Sequence, residues 1–390
     1  MTNSLKRQFL LDPSITFLNH GSFGACPAPV FVAYQHWQRQ LESQPVRLLG
    51  REHPQLDRNA RHALGSYLNV DGDDLVYVPN ATHGVNIATH SLALQPGDEI
   101  LTTDHEYGAC NYAWEFACQK TGARYVVQPI SFPARSNDVM LNQFWQGVTD
   151  RTRVIYLSHI TSPTALRLPV EAICQRARVF GITTVIDGAH APGQIPLDLQ
   201  TLDADIYTGN CHKWMLSPKG AGFLYVRRGI QKHIEPLVVS WGRHSLPEKS
   251  AGSQFLDDLT WTGTHDPAAY LSVPAAIRFM EEYDWNTVRQ ECHSLLMHTL
   301  PRIRQITGMP PAYPDDSELY SQMAVSILPP ETDIETLKVR LYDECKVEVP
   351  LIDWNGMKLV RISVQAYNTP EDLDRLVEGL RVLLPQTCTR

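Results

Sequence analysis

Residues 183–190, with the sequence TTVIDGAH, place an aspartate and a histidine directly after a short apolar and β-branched run. Such a run predicts a buried strand, because β-branched side chains favour extended structure. A second predicted strand, over residues 205–208, is followed by the pair His212 and Lys213. In an open α/β sheet, ligands bind at the carboxyl ends of the strands. Asp187 and Lys213 are therefore expected to converge on one site.

Apolar runs alternate with helix-period segments on both sides of this pair. The predicted strands cover residues 75–78, 99–102, 125–127, 154–157, 183–186, 205–208 and 222–226. The predicted helices between them cover residues 82–94, 109–121, 141–148 and 170–180. This alternation predicts an α/β fold whose mainly parallel seven-stranded sheet carries helices on both faces.

The pattern changes after residue 265. Helices are predicted at residues 267–283, 285–306, 334–344 and 370–384, and strands at 323–327, 347–349 and 359–364. The mixture is typical of an α+β unit. We therefore predict an N-terminal segment with a large α/β domain over residues 1–265 and a smaller C-terminal α+β domain over residues 266–390.

Composition excludes several classes of protein. Hydrophobic residues make up 43% and charged residues 19% of the 390 residues, which is ordinary for a globular protein. The net charge of −8, without a basic block, makes nucleic acid and anionic membranes poor partners. No apolar run reaches membrane-spanning length, and a secretory signal pattern is missing. The eight cysteines are scattered without a CxxC pair, so we expect a cytoplasmic protein with reduced thiols and no metal site.

The paired lysine and aspartate point to one kind of chemistry. A lysine can form an imine with an aldehyde cofactor, and a carboxylate beside a pyridine nitrogen keeps that nitrogen protonated. His190 could then bond the phenolic oxygen of the same ring. The alternative is that Asp187 caps a turn and Lys213 is a surface lysine. The apolar surroundings of Lys213 in CHKWM, residues 211–215, favour the cofactor.

A phosphate site is predicted where a strand meets a helix, in PNATHG, residues 79–84. Free amide groups and the helix dipole at such a junction favour an anion, and Thr82 adds a hydroxyl. An ordinary N-cap would explain this stretch alone. Together with Lys213 and Asp187, phosphate binding is the better interpretation.

Five motifs and an arginine follow one another in an order that resembles class V aminotransferases, which are fold-type I pyridoxal-5′-phosphate (PLP) enzymes. They are residues 80–86 (NATHGVN), 104–108 (DHEYG), 158–162 (SHITS), 187–190 (DGAH) and 212–213 (HK), then Arg361. Residues 17–24 (FLNHGSFG) and 261–266 (WTGTHD) look most like the isopenicillin N epimerase-like branch, which also contains carbon–sulfur lyases. The resemblance covers nearly the whole chain, from about Phe17 to the C-terminus.

The resemblance implies a role for each matching residue. Lys213 would hold PLP as a Schiff base and carry the proton at the substrate α-carbon. Asp187 would pair with the pyridinium, His190 would contact the ring oxygen, and Tyr107 would stack on the ring. Thr82, the His83 backbone and His212 would hold the phosphate. The remaining cofactor-binding residues implied are Ala81, Ser162 and Thr264.

The substrate and the assembly are also implied by the resemblance. Arg361 would bind the carboxylate of a small amino-acid substrate as a bidentate pair, and His20 would lie in the substrate site. Thr264 would reach the phosphate bound by a second subunit. A homodimer with the active site at its interface is therefore expected.

Some residues depart from the class V pattern. Asn210 replaces a serine or threonine, which weakens one phosphate contact, and Tyr107 replaces the histidine of cysteine desulfurases. Desulfurases also carry a nucleophilic cysteine on a loop just before the arginine, whereas residues 348–360 are short here and lack cysteine. Cys345 lies earlier and is expected to pack between a helix and a strand. Cysteine desulfurase activity is therefore not expected.

Removal of the α-proton can lead to three reactions that need nearly the same residues. Reprotonation on the opposite face gives epimerisation, loss of a sulfur group from the β-carbon gives a lyase, and reprotonation at the cofactor gives transamination. Epimerase-like activity is preferred from the branch resemblance, with Tyr107 as a possible second acid. A scaffold dimer without activity is disfavoured by intact Lys213, Asp187 and Arg361. A nicotinamide-dependent dehydrogenase is disfavoured because GxGxxG is missing.

Overall fold

The computed structural model describes residues 5–244, 250–314 and 318–388. The strands in these ranges are β1 (Thr16–Phe17), β2 (Leu75–Val78), β3 (Glu99–Thr103), β4 (Arg124–Gln128), β5 (Thr152–Ser158), β6 (Thr183–Gly188), β7 (Ile206–Asn210), β8 (Gly222–Val226), β9 (Met323–Ile327), β10 (Val347–Glu348), β11 (Leu351–Trp354) and β12 (Met357–Ser363).

The longer helices are α1 (Ala28–Ser43), α2 (His53–Leu68), α3 (Ala81–Ser91), α4 (Gly108–Thr121), α5 (Asn137–Trp145), α6 (Val170–Val179), α7 (Gln254–Thr260), α8 (Val273–Glu282), α9 (Trp285–Thr307), α10 (Ile334–Cys345) and α11 (Pro370–Thr387). Short helical turns lie at His20–Phe23, Pro45–Arg47, Leu48–Glu52, Gly72–Asp74, Leu199–Leu202, Arg228–His233, Trp241–His244 and Ala268–Leu271. Within the described ranges, no helix is both long enough and apolar enough to span a membrane.

One sheet of seven strands forms the centre of the molecule, in the order β2-β8-β7-β6-β5-β3-β4. Only β8 runs against its neighbours, and the other adjacent strands are parallel. Side chains of β5 alternate between two apolar cores, with Ile155 and Leu157 in one and Val154 and Tyr156 in the other. A strand whose side chains are apolar on both faces has to be covered by other elements on both sides of the sheet. The predicted mainly parallel seven-stranded α/β sheet is confirmed.

A smaller antiparallel sheet in the order β11-β12-β9 lies in the C-terminal part, against which α9 and α10 pack. The N-terminal segment also joins this part, because β1 pairs in parallel with β10. An ion pair of 3.1 Å between Lys6 and Asp372 adds to that contact. A smaller α+β unit is therefore present, as predicted, while the residue ranges of the two domains stay a prediction.

The stretch before Arg361 differs from the prediction. It is a β-hairpin of β11 and β12, in which Trp354 lies opposite Met357, and the predicted strand at 347–349 is reduced to the short β10. The turn residues Asn355 and Gly356 have φ values of 49° and 79°. Asn-Gly is a strong signal for a two-residue hairpin turn, because both of its residues tolerate positive φ. The sequence therefore carries a signal for this hairpin.

Several predicted helices have different bounds in the structure. The predicted helix at 267–283 is interrupted at Ser272, and Pro274 lies in the first turn of α8. Proline lacks the amide hydrogen that would continue the preceding turn but fits the first turn of a new helix. Helix α5 begins before its predicted start because the Ser136 hydroxyl caps the amide of Val139. Helix α3 already ends at Ser91.

Candidate active site

Asp187 and Lys213 lie at the same edge of the sheet. Asp187 is near the end of β6, where it pairs with Thr208 of β7, and Lys213 follows the end of β7. Lys213 is half-buried as a residue, and its amine lies 3.3 Å from Nε2 of His190. Burial, and then the charge of Arg361, lower the pKa of Lys213 to about 8, although Asp187 opposes this change. Part of the amine is therefore neutral near neutral pH and available as a nucleophile.

The Asp187 carboxyl group is buried and held by three donors. Its Oδ1 accepts from the amide of Ala189 at 2.8 Å, and its Oδ2 accepts from the Tyr156 hydroxyl at 3.4 Å and the Cys110 thiol at 3.5 Å. Burial raises the pKa of this carboxyl group, and the positive charge of Lys213 acts in the opposite direction. A buried carboxylate is most stable beside a positive group. This site therefore fits the pyridinium nitrogen of PLP.

The predicted phosphate end begins at α3. The amide of His83 donates to Oδ1 of Asn80 at 2.9 Å, and the amide of Ala81 donates to Oδ1 of Asn210 at 2.8 Å. A phosphate would have to compete for these two amides. Thr82 is half-buried at the same helix start. Its amide and hydroxyl are the better phosphate donors of this turn.

His212 lies on the segment between β7 and β8. Its Nδ1 bonds the carbonyl oxygen of Ala221 at 2.8 Å. Because that carbonyl can only accept, Nδ1 carries the hydrogen, and Nε2 is left for another partner. Burial lowers the pKa of His212 to about 4. A phosphate at Nε2 would favour protonation of this ring.

Arg361 on β12 is buried, with 5% of its surface exposed. Its Nη1 donates to the carbonyl and hydroxyl oxygens of Ser162 at 2.7 and 3.1 Å, and its Nη2 donates to Oγ of Ser22 at 3.1 Å. Nε has no hydrogen-bond partner among the described residues. Burial lowers the pKa of Arg361 to about 10. Its partners within the described ranges are all neutral, so this buried guanidinium is suited to a substrate carboxylate.

Ser162 and Ser22 both bond the guanidinium group of Arg361. The contact with the cofactor predicted for Ser162 stays a prediction. Ser22 was not predicted at all, although it lies within the FLNHGSFG motif. Its hydroxyl donates to Oδ1 of Asn19 at 2.5 Å while accepting from Arg361. The two serines hold the guanidinium group from two sides.

His20, predicted in the substrate site, is fully buried beneath Lys213. Its Nε2 lies 3.1 Å from the carbonyl oxygen of Lys213, and its Nδ1 lies 3.0 Å from the hydroxyl of Tyr367. Burial lowers the pKa of His20 to about 3. Both ring nitrogens already have partners, so this structure supports a role in holding the Lys213 main chain. Contact between His20 and a substrate stays a prediction.

Tyr107 and Thr264 are both exposed in the single chain. The ring of Tyr107, at the start of α4, is 47% exposed. Thr264 lies in a segment whose His265 bonds the carbonyl oxygen of Gly263 at 2.8 Å. Thr262 and His265 line a cavity of about 290 Å³ that His83 also lines. The roles predicted for Tyr107 and Thr264 stay predictions.

Glu106 is a buried carboxyl group near Asp187 for which the sequence suggested no role. Its Oε1 accepts from the Thr103 hydroxyl and its Oε2 from the amide of Ser158, each at 2.7 Å. Burial raises the pKa of Glu106 to about 7, and the charge of Asp187 contributes. Nothing in the DHEYG motif distinguishes this residue from a surface glutamate.

The hairpin of β11 and β12 is anchored close to this site. Trp354 donates from Nε1 to the carbonyl oxygen of Asp104 at 3.1 Å, and its ring lies 4.3 Å from that of His105. Asn355 also bonds the Asp104 side chain. The residues before Arg361 are therefore a fixed hairpin without cysteine. Cys345 ends α10 and packs against the apolar core, as expected.

The class-V aminotransferase family model matches residues 24–376. The chain belongs to this family. It is 34% identical to isopenicillin N epimerase of Amycolatopsis lactamdurans, over 97% of each chain. It is 26% identical to a probable chloroplastic L-cysteine desulfhydrase of Arabidopsis thaliana, over 96% of this chain and 84% of the relative. The isopenicillin N epimerase-like resemblance predicted from the motifs is confirmed.

Solved structures establish the fold. The cysteine desulfurase CsdA of Escherichia coli superposes with a TM-score of 0.83 at 21% identity, over 99% of both chains. A variant of C-DES with glycine covalently linked to its PLP cofactor has a TM-score of 0.82 at 22% identity, over 97% of this chain and 99% of that one. This class-V family member has the fold of fold-type I PLP enzymes, and its cofactor is PLP.

The class-V assignment specifies what the site residues have to accomplish. PLP supplies an aldehyde that reacts with amines and a ring that accepts the charge developing at a substrate α-carbon. The positions of five residues suit the cofactor: Lys213, Asp187, His190, His212 and Thr82. Arg361 lies close enough to Lys213 for its charge to lower the lysine pKa. One site therefore combines the amine of Lys213 with the buried guanidinium group of Arg361.

Proposed function

We propose that this enzyme removes and returns the α-proton of an L-amino acid or amino-acid derivative, as an isopenicillin N epimerase-like epimerase or racemase. The observation that carries the proposal is the buried guanidinium of Arg361, which acts on the amine of Lys213 and bonds no carboxylate in the part of the chain that the structure describes. The similarity to isopenicillin N epimerase over nearly the full length supports the stereochemical outcome.

In this proposal, Arg361 binds the substrate carboxylate, while Ser22 and Ser162 keep the guanidinium in place. Lys213 takes the α-proton from one face of the substrate. Inversion also requires an acid on the opposite face. Tyr107 is the candidate for that acid, because its exposed ring is predicted to lie over the cofactor.

A carbon–sulfur β-lyase is the second candidate, and the similarity to a probable L-cysteine desulfhydrase favours it. Loss of a sulfur group from the β-carbon needs the same lysine and the same arginine. Desulfurase activity is disfavoured because the anchored hairpin before Arg361 offers no cysteine nucleophile.

A screen of amino acids in deuterium oxide tests this proposal. The PLP-loaded enzyme is incubated with L-amino acids and with N-linked and side-chain-extended derivatives. We expect deuterium at the α-carbon together with appearance of the opposite configuration. If pyruvate, ammonia and a sulfur product form without inversion, the enzyme is a β-lyase and not an epimerase. If a keto acid forms in an amount equal to that of the aminated cofactor, the enzyme is an aminotransferase.

We also propose that the active enzyme is a homodimer in which Thr264 contacts the cofactor phosphate of the second subunit. Its side chain is exposed in the single chain, at residues 261–266, after the last strand of the large sheet. Two-fold interfaces are self-complementary, so each subunit would both give and receive this contact.

Mixed dimers test the shared site. Thr264→Ala and Lys213→Ala subunits are each expected to be impaired alone, since each lacks one part of every site. After dissociation and reassociation together, about half of the dimers are mixed, and one of their two sites has both residues. Activity should therefore return to about a quarter of wild type. Mixed dimers isolated with two tags that show no gain would place the action of Thr264 within its own subunit.

A further inference from the structure

Trp214, the residue directly after the lysine, bonds His190. Its side chain is fully buried, and its indole Nε1 donates to Nδ1 of His190 at 3.3 Å. An indole N–H can only donate, so Nδ1 of His190 has to accept and carries no hydrogen. Burial holds the pKa of His190 well below its ordinary value, so the ring is neutral. A neutral imidazole has one N–H hydrogen, and here that hydrogen is therefore on Nε2.

The hydrogen on Nε2 faces the amine of Lys213, 3.3 Å away. A charged ammonium group offers only hydrogens and cannot accept this bond. A neutral amine has a lone pair that can. The orientation of His190 therefore favours the neutral form of Lys213, which is the form that attacks an aldehyde.

Packing leaves Trp214 little freedom to leave this position. The ring of His20 lies 4.8 Å from the indole, and His20 also bonds the carbonyl oxygen of Lys213. A side-chain carbon on Gly193 would come within 2.3 Å of the Trp214 backbone, so the two segments touch. On the other side, Gln194 donates to the carbonyl oxygen of His190 at 2.7 Å.

We propose that Trp214 is a positioning residue that keeps the hydrogen of His190 on Nε2, from which His190 donates to the Lys213 amine and, in the loaded enzyme, to the ring oxygen of PLP. The second donation rests on the predicted contact between His190 and that oxygen. The first concerns only residues of this chain. Neither depends on which reaction follows removal of the α-proton.

Removing the indole N–H should change the charge of Lys213. Without the indole N–H, the N–H hydrogen of His190 can move to Nδ1. Nε2 can then accept a hydrogen bond from the charged ammonium group of Lys213. Trp214→Phe should then raise the pKa of Lys213 from about 8 to about 9 or above, as expected for one gained charge-assisted bond. The other groups that act on Lys213 (Arg361, Asp187 and Cys110) remain in place.

The measurement uses the protein without cofactor. The apo enzyme is labelled with trace acetic anhydride from neutral to alkaline pH, and the Lys213 peptide is quantified by mass spectrometry. This readout requires no turnover, so it is independent of the proposed function. As a matched control, Trp285→Phe removes another buried indole N–H, which bonds the carbonyl oxygen of Gly193 at 3.1 Å. It should leave the Lys213 pKa unchanged.

Two further variants separate the hydrogen from the bulk of the ring. A benzothienyl analogue of Trp214 keeps the shape without the N–H and should raise the pKa as much as phenylalanine does. If Trp214→Phe fails to fold, this analogue still tests the loss of the N–H. In a His190→Gln background, Trp214→Phe should cause no further change, because glutamine has no tautomers. An unchanged pKa with the analogue, or an equal rise without His190, would overturn the proposal.

Discussion

Lys213→Ala should abolish turnover, with a decrease of about 10⁶-fold if the lysine is as indispensable as an enzyme nucleophile usually is. The reason is its position at the end of β7, where its amine is partly neutral and lies beside Asp187 and His190. The variant should also lose the visible absorbance of covalently bound PLP. Turnover is measured by α-deuterium exchange, and absorbance by titration of the apo variant with PLP.

Borohydride treatment followed by peptide mapping should place the cofactor on Lys213. Lys219 is the informative competitor, because it lies on the same segment, with its amine 3.0 Å from the carbonyl oxygen of Gly24. Cofactor found on Lys219 would refute the assignment. As a control, Lys120→Ala removes an exposed lysine of α4 and should leave both absorbance and turnover intact.

Asp187→Asn should keep some PLP bound but lower turnover by about 10²- to 10³-fold, the usual cost of losing one preorganised electrostatic partner. Asparagine keeps the shape of the side chain but only one acceptor oxygen, so it can serve either Ala189 or the pair Tyr156 and Cys110, which bond different oxygens of Asp187. It also has no charge for the pyridinium. Because the Asp187 charge raises the pKa of Lys213, the variant should also lower that pKa below about 8. The rate of α-deuterium exchange and the labelling of apo Lys213 measure the two effects.

Asp205→Asn is a matched control on the neighbouring strand. Asp205 lies at the amino end of β7, where it bonds the amide and hydroxyl of Thr184 at 2.9 and 3.1 Å. Its loss should affect stability, since these bonds join two strands, but turnover of the folded protein should remain. Near-normal turnover in Asp187→Asn would contradict the role assigned to that carboxylate.

The sheet and its central pair were accessible from the sequence. Buried strands are short apolar runs, and consecutive strands of a parallel sheet carry their carboxyl ends to one edge. Asp187 and Lys213 follow such runs, so the strand pattern alone predicted that they lie at the same edge of the sheet. The hairpin turn at Asn355 and Gly356 also had a local signal, because its positive φ values suit those residues.

Other parts of the site were decided only by the tertiary structure. Ser162 bonds Arg361, and His20 bonds the main chain of Lys213, and neither contact was predicted. Ser22 and Trp214 bond functional side chains without any pattern that predicts it. Local periodicity specifies which residues are buried, whereas a hydrogen bond between distant segments depends on how whole elements pack. The sequence by itself determined the sheet edge and its chemistry, and packing alone decided which neighbours orient Arg361, His190 and Lys213.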